Sequence, residues 1–329
     1  MAAALLRCTA ACSPPHLRAS KLPSRGHGRA MAVLEEARQL RLQYDLQKGQ
    51  SRFFHRLPSG LGMEVIFQKG AGGGRKPPLV FVHGSFHAAW CWAEHWLPFF
   101  SGASYDCYAV SLLGQGESDL PMDAIAGSLQ THTSDLADFI RKELEIPPVL
   151  VGHSFGGLIV QSYISHAGAA SSVSHASESV RKDSRAMLAG AVLLCSVPPS
   201  GNSGLVWRYL LSNPVAAFKV TLSLAAKAFA NSLPLCKETF FSSTMDDGEV
   251  QRSKLNASLP VPSVPHGFVD VLVLGAGSDF ILDAEGLKET GMFYGVEPVC
   301  LEGVAHDMML DSSWEKGAEA ILSWLKNLN

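Results

Sequence analysis

From Phe53 onward the chain alternates short continuous apolar runs with longer segments whose apolar residues recur at helical spacing. PPLVFVHG (77–84), DCYAVSLLGQGESD (106–119), PPVLVGHS (147–154), AGAVLLCSVPPSG (189–201), VDVLVLGAGSD (269–279) and VEPVCLEGVAH (296–306) each read as a strand running into a turn. Between them, AAWCWAEHWLPFFS (88–101) predicts a helix carrying Trp92, Trp96 and Phe99. LQTHTSDLADFIRKELEI (129–146) predicts an amphipathic helix with Leu136, Phe139, Ile140 and Leu144 on one face, and SWEKGAEAILSWLKNL (313–328) a closing helix. Unbroken Val/Leu runs mark strands buried on both faces. Their alternation with helices implies an α/β fold, a mostly parallel central sheet flanked by helices, over residues 50–329.

Two segments break this rhythm. HAGAASSVSHASESVRKDSR (166–185) is Ser-rich and polar and reads as a surface loop, its His166 and His175 solvated. Residues 199–265 carry helical patterning between two core strands, which predicts an inserted helical lid over the sheet edge. In that segment Phe218, Leu222, Ala225 and Phe229 share a helical face, with Val206, Trp207, Leu210 and Leu211 before it. The face reads either as core packing or as the wall of an acyl or prenyl pocket. Lys219 and Lys227 read as solvated charges or as a peripheral contact with a membrane surface.

The bulk numbers narrow the function classes. With 47% hydrophobic and 17% charged residues in 329, the chain can build a large core, and a net charge of −3 gives no reason to expect a nucleic-acid partner. The first thirty-four residues are different. They contain no Asp or Glu, carry Arg7, Arg18, Lys21, Arg25 and Arg29, and are rich in Ser, Ala and Pro. That is the composition of an organellar transit peptide, and the Ser and Pro content favours the chloroplast. Arg7 interrupts the apolar core that a secretory signal would need. The seven cysteines show no Cys-x-x-Cys spacing and read as free thiols in a reducing compartment. No apolar run reaches the roughly 18 residues of a membrane-spanning helix.

The candidate chemistry centres on PVLVGHSFGGLIVQSYI (148–164), where one serine fenced by glycines separates a strand from a helix. Gly152-His153-Ser154-Phe155-Gly156 fits Gly-x-Ser-x-Gly. At a sharp strand-to-helix turn the central residue is strained and its hydroxyl is lifted out of the fold. Larger residues at 152 and 156 would collide. A serine hydroxyl needs a base. His306, after the last strand, is the expected one, ahead of His266, His83 and His87. The imidazole needs a carboxylate behind it. Asp279 directly follows its strand, whereas Asp283 is placed to cap the next helix. The backbone amides of Phe155 and Ser85 are the expected oxyanion donors, with His83 structural. This chemistry requires no cofactor and no metal.

In this order, VFVHGSFHAAWCW, LLGQGESD, VGHSFGG, LVLGAGSDF and VAHDMML resemble the α/β-hydrolase fold superfamily over about residues 50–329. HGSFHAAWCW is similar to the His-Gly-x-x-His-x-x-Trp-x-Trp pattern of the plant methylesterase and hydroxynitrile lyase branch. In that branch the residue after the His-Gly turn gives an oxyanion amide, which implies Ser85 here. The leader and the Ser-rich segment depart from that branch. The leader and the layout resemble plastid hydrolases of the chlorophyll dephytylase and prenyl-lipid esterase kind. The resemblance implies a serine ester hydrolase acting on a lipophilic ester, linked to chlorophyll or tocopherol metabolism. A thioesterase, an acyltransferase, a methylesterase on a small ester, or a triad-bearing ligand receptor stay open. The lyase reading is weakened because no lysine sits beside the motifs.

Overall fold

The computed structural model describes residues 44–72, 76–85, 87–121, 128–172, 188–201, 259–279 and 281–328. Eight strands form one sheet: β1 (Gln50–Arg56), β2 (Gly62–Gln68), β3 (Leu79–Val82), β4 (Cys107–Val110), β5 (Val149–His153), β6 (Gly190–Leu194), β7 (Val271–Ala276) and β8 (Val299–Leu301). Their order is β1-β2-β4-β3-β5-β6-β7-β8. β2 pairs antiparallel with both β1 and β4, and every pairing from β4 through β8 is parallel, so β2 alone runs against the rest. The helices among the described residues are α1 (Trp90–Ala93), α2 (Trp96–Gly102), α3 (Leu129–Glu143), α4 (Phe155–Ser172), α5 (Ala284–Tyr294) and α6 (Trp314–Leu325).

The central strands β3, β5 and β6 are buried at every position, as their unbroken apolar runs require. Each sheet face carries its own core. On one, Phe81 of β3 meets Trp92, Trp96 and Phe100 of α1 and α2 with ring centroids 5.2, 6.4 and 5.8 Å apart. On the other, Leu150 and Val82 pack with Phe139 and Ile140 of α3 and Leu158 and Ile159 of α4.

Three features differ from the sequence reading. The hairpin of β1 and β2 adds two strands to the six expected. Residues 88–101 form two short helices rather than one. Pro98 has no N–H for the carbonyl of Glu94, which accepts instead from Gln47 Nε2 at 3.1 Å, and Gln50 Nε2 donates to Ala93 O beside it at 2.7 Å. Helix α4 continues through Ser172, so the first positions of the Ser-rich segment are helical. Its remainder, most of the 199–265 segment and the whole 1–34 leader lie outside the described residues. Among those described, no helix is long and apolar enough to cross a membrane.

Candidate active site

The strand order places the C-terminal ends of β3, β5, β7 and β8 along one edge of the sheet. Each candidate side chain follows one of them. The order reverses around β3, which has β4 on one side and β5 on the other, the kind of switch point where α/β sheets open a crevice.

Ser154 sits between β5 and α4 with φ +53°, left-handed backbone that a residue with a side chain rarely adopts. Its N–H donates to Leu194 O at 3.0 Å, and its carbonyl accepts from Val197 N–H at 3.1 Å, so the end of β6 and the residues just after it hold the turn from both ends. The glycines are needed for close approach. A Cβ on Gly152 would lie 2.6 Å from Gly156 O, and one on Gly156 would press into the carbonyls of Val82 and His83. Phe155 opens α4, so its N–H has no carbonyl one turn back to bond. Gly84, at the end of β3, packs against the same turn: a Cβ there would lie 2.9 Å from Ser154 Cβ and 2.9 Å from His153 Nδ1. Ser85 follows it on the exposed rim.

His306 lies on the loop after β8. Its Nδ1 is 2.8 Å from Asp279 Oδ2, so the ring N–H donates to the carboxylate and Nε2 keeps its lone pair. Asp279 Oδ1 accepts from the N–H groups of Ile281 and Leu282, both at 2.8 Å. Asp283 instead caps α5 by accepting from Gly286 N–H at 2.8 Å. His266 stands apart, against Gly295 at the end of α5.

The link between the His306 loop and the Ser154 turn is His153. Its Nε2 donates to the His306 carbonyl at 3.0 Å, and the two rings are 4.8 Å apart at a tilt of 56°. Burial, with the neighbouring His306, pushes the His153 imidazole down to about 3, so it stays neutral. His83 is neutral for the same main reason, burial, which lowers it to about 3. Its Nε2 accepts from Leu112 N–H at 2.9 Å and its Nδ1 donates to Gly84 O at 2.7 Å, which pins the β3 turn to β4.

One further group at the rim, Asp307, was not singled out from the sequence. Its Oδ2 faces Nε2 of His87, the rival base, at 3.5 Å, and its Oδ1 faces His153 Nε2 at 3.7 Å. The Asp307 contact raises His87 above the usual imidazole value, and His87 holds the Asp307 carboxyl below the usual carboxylate range. A hollow of about 360 Å³ opens beside them, lined by Ile281, His306, Asp307 and Leu310 among others. Adjacency to His306 is the signal that could have flagged Asp307.

A strained serine at a Gly-fenced turn and a carboxylate-backed imidazole on one edge of a mostly parallel sheet form a recognisable arrangement. A profile described as "Alpha/beta hydrolase family" matches residues 79–320. The chain belongs to the alpha/beta hydrolase family. Among similar proteins, this alpha/beta hydrolase is 34% identical over 94 residues to pFDCC methylesterase MES16 of Arabidopsis thaliana, covering 27% of this chain and 34% of that protein. It is 30% identical over 102 residues to norfluorocurarine synthase 1 of a Strychnos species, covering 30% and 36%. The chain thus spans about a third of the length of these curated relatives. Among solved structures, VinJ superposes with a TM-score of 0.57 at 14% identity, covering 85% of this chain and 99% of that one. The epoxide hydrolase VrEH1 of Vigna radiata superposes with a TM-score of 0.54 at 17% identity, covering 86% and 100%. At these identities the likeness concerns the fold.

Proposed function

We propose that this chain is a serine carboxylic-ester hydrolase of the plastid, acting on a lipophilic acyl or prenyl ester. The observation that carries the reading is the 2.8 Å pair of His306 and Asp279 on the loops beside the strained Ser154 turn. Ser154 Oγ attacks the ester carbonyl carbon while His306 Nε2 takes its proton. Asp279 stabilises the imidazolium and fixes its tautomer. The amides of Phe155 and Ser85 receive the oxyanion. The C–O bond to the alcohol breaks, and His306 returns its proton to the departing oxygen. Water then attacks the acyl-serine, gives a proton to His306, and releases the acid as Ser154 Oγ takes that proton back. The cycle needs no metal or cofactor.

The acid-free, Arg-bearing leader supports the plastid address. The apolar stripe at Phe218, Leu222, Ala225 and Phe229 supports a lipophilic substrate, because each buried CH₂ contributes about 0.8 kcal/mol. The local match to a plant methylesterase favours a second reading, a small methyl ester. Turnover of nitrophenyl esters of increasing acyl length, beside a set of methyl esters, separates the two. Rising kcat/KM with chain length supports the lipophilic reading, and preference for methyl esters supports the other. Ser154→Ala should remove turnover on both sets by about 10³-fold or more; retained turnover rejects the serine mechanism altogether. The leader is tested by fusing residues 1–34 to a fluorescent protein and asking whether isolated chloroplasts import it.

A further inference from the structure

The carboxylate of Asp279 has a neighbour besides the two amides on Oδ1 and the imidazole on Oδ2. Cys195 follows the last residue of β6 with φ +41°, the left-handed region that residues with side chains rarely enter. Its N–H donates to Leu274 O at 2.8 Å, which ties the kink to β7, the strand that leads into the Asp279 turn. The kink turns the side chain towards the tip of that neighbouring strand. Cys195 Sγ, an Asp279 carboxylate oxygen and a His306 ring nitrogen all lie within 4.8 Å of one another. Cys195 is 1% exposed, so bulk water is shut out from this side of the pair. Burial first, then the charge of the nearby Asp279 carboxylate, raise the thiol well above its ordinary range, so it keeps its proton. Non-glycine residues hold such backbone only where their surroundings over-determine it, and such strain concentrates at functional sites.

We propose that Cys195 is a positioning residue. Its S–H donates to the Asp279 carboxylate and holds that group in the plane that serves His306 Nδ1, without itself touching substrate. This assignment rests on the reading of Ser154, His306 and Asp279 as a hydrolytic triad. The thiol suits the task because it is neutral and a weak donor. It steadies the carboxylate while taking only a small share of its charge from the imidazole, where a second buried carboxylate would repel Asp279.

The test compares Cys195→Ala and Cys195→Gly, which remove the donor, with Cys195→Ser, which keeps one. Glycine also relieves the positive φ, so it separates the thiol from the strain and serves where alanine folds poorly. Loss of one hydrogen bond to a charged group predicts kcat lower by about three- to tenfold in Ala and Gly, with KM within about twofold and Ser near wild type. With the competing donor gone, the carboxylate's charge falls more fully on the imidazolium. The acidic limb of kcat/KM should therefore move to higher pH in Ala and Gly and stay in place in Ser. The far-downfield proton resonance of His306 Nδ1–H, recorded in a Ser154→Ala background, should move in Ala and Gly and hold in Ser. An unmoved resonance and pH limb in Ala and Gly would overturn the proposal, as would a Gly variant that behaves like wild type. The resonance does not depend on turnover, so it judges the thiol even if Ser154→Ala shows that the chain is no serine hydrolase.

Discussion

At the scale of single residues, Asp279 is bound in a way that fixes the outcome of its mildest substitution. Both amides of the following turn, Ile281 and Leu282, donate to one carboxylate oxygen, and His306 donates to the other. In Asp279→Asn the only remaining acceptor oxygen is claimed by the two amides. The NH₂ group is then turned towards His306 and selects the wrong imidazole tautomer. The expected result is a fall in kcat of about 10³- to 10⁴-fold with the melting temperature little changed. Steady-state kinetics beside thermal unfolding checks it, and a variant with near-normal kcat would refute the role given to Asp279. That Asp279 rather than Asp283 meets the His306 imidazole was legible from position, since Asp279 is the first acid after β7 and Asp283 sits where it caps α5. Cys195 was not legible, because nothing in its local sequence says that a kinked strand end brings it against the imidazole; Asp307 carried one signal, its adjacency to His306.

At the scale of elements, the crossing of α4 over β3 and β5 depends on absent side chains. Gly156→Ala would place a methyl group in the carbonyls of Val82 and His83, which are backbone atoms inside a fully buried strand end and cannot yield. Destabilisation of about 3 kcal/mol or more is expected, read from the urea midpoint. Gly102→Ala is the control. It is an exposed helix end with nothing within 4 Å of the added Cβ, so its midpoint should change by less than about 0.5 kcal/mol or rise. Equal effects at the two sites would remove the close-packing argument. The sequence conveyed six of the eight strands because all six are short apolar runs next to turn residues, and β3 to β7 are almost wholly buried; β8 was legible from its apolar run although Val299 and Cys300 are exposed. The hairpin of β1 and β2 escaped because QSRFFHR mixes charge with aromatics and its burial is partial. The break between α1 and α2 escaped because its carbonyls are satisfied by Gln47 and Gln50, more than forty positions away in the chain.

At the scale of the whole molecule, three buried imidazoles set the response to acid. Burial lowers His83 and His153 to about 3 and His132 to about 4, from an ordinary value of 6.5. Between pH 6.5 and 4 the unfolded chain therefore takes up protons at these positions that the folded chain refuses. Each costs up to about 1.4 kcal/mol of stability per pH unit as pH falls. Asp135 acts the other way. Burial raises it to about 6 from 3.8, so the folded chain binds its proton first, which offsets one of the three. His87, raised by Asp307, contributes stability below 6.5 that fades as pH rises through its folded value, a smaller effect at the half-exposed rim. Net stability should fall from pH 6.5 to 4. Urea midpoints at pH 7, 6 and 5 check this, and midpoints that hold steady or rise towards pH 5 would contradict it.

Local pattern carried the layered α/β plan, the Gly-fenced turn at Ser154 and the positions of Asp279 and His306 just past strand ends. These follow from local rules: unbroken apolar runs, glycines where no Cβ fits, and polar residues just past strand ends. Tertiary structure alone decided which atoms meet. The parallel sheet sets β5, β6, β7 and β8 side by side, and only that arrangement puts the Asp279 carboxylate on His306, His153 beneath it and the Cys195 thiol alongside. Those contacts join residues up to 153 positions apart, a separation over which the chain carries no local signal.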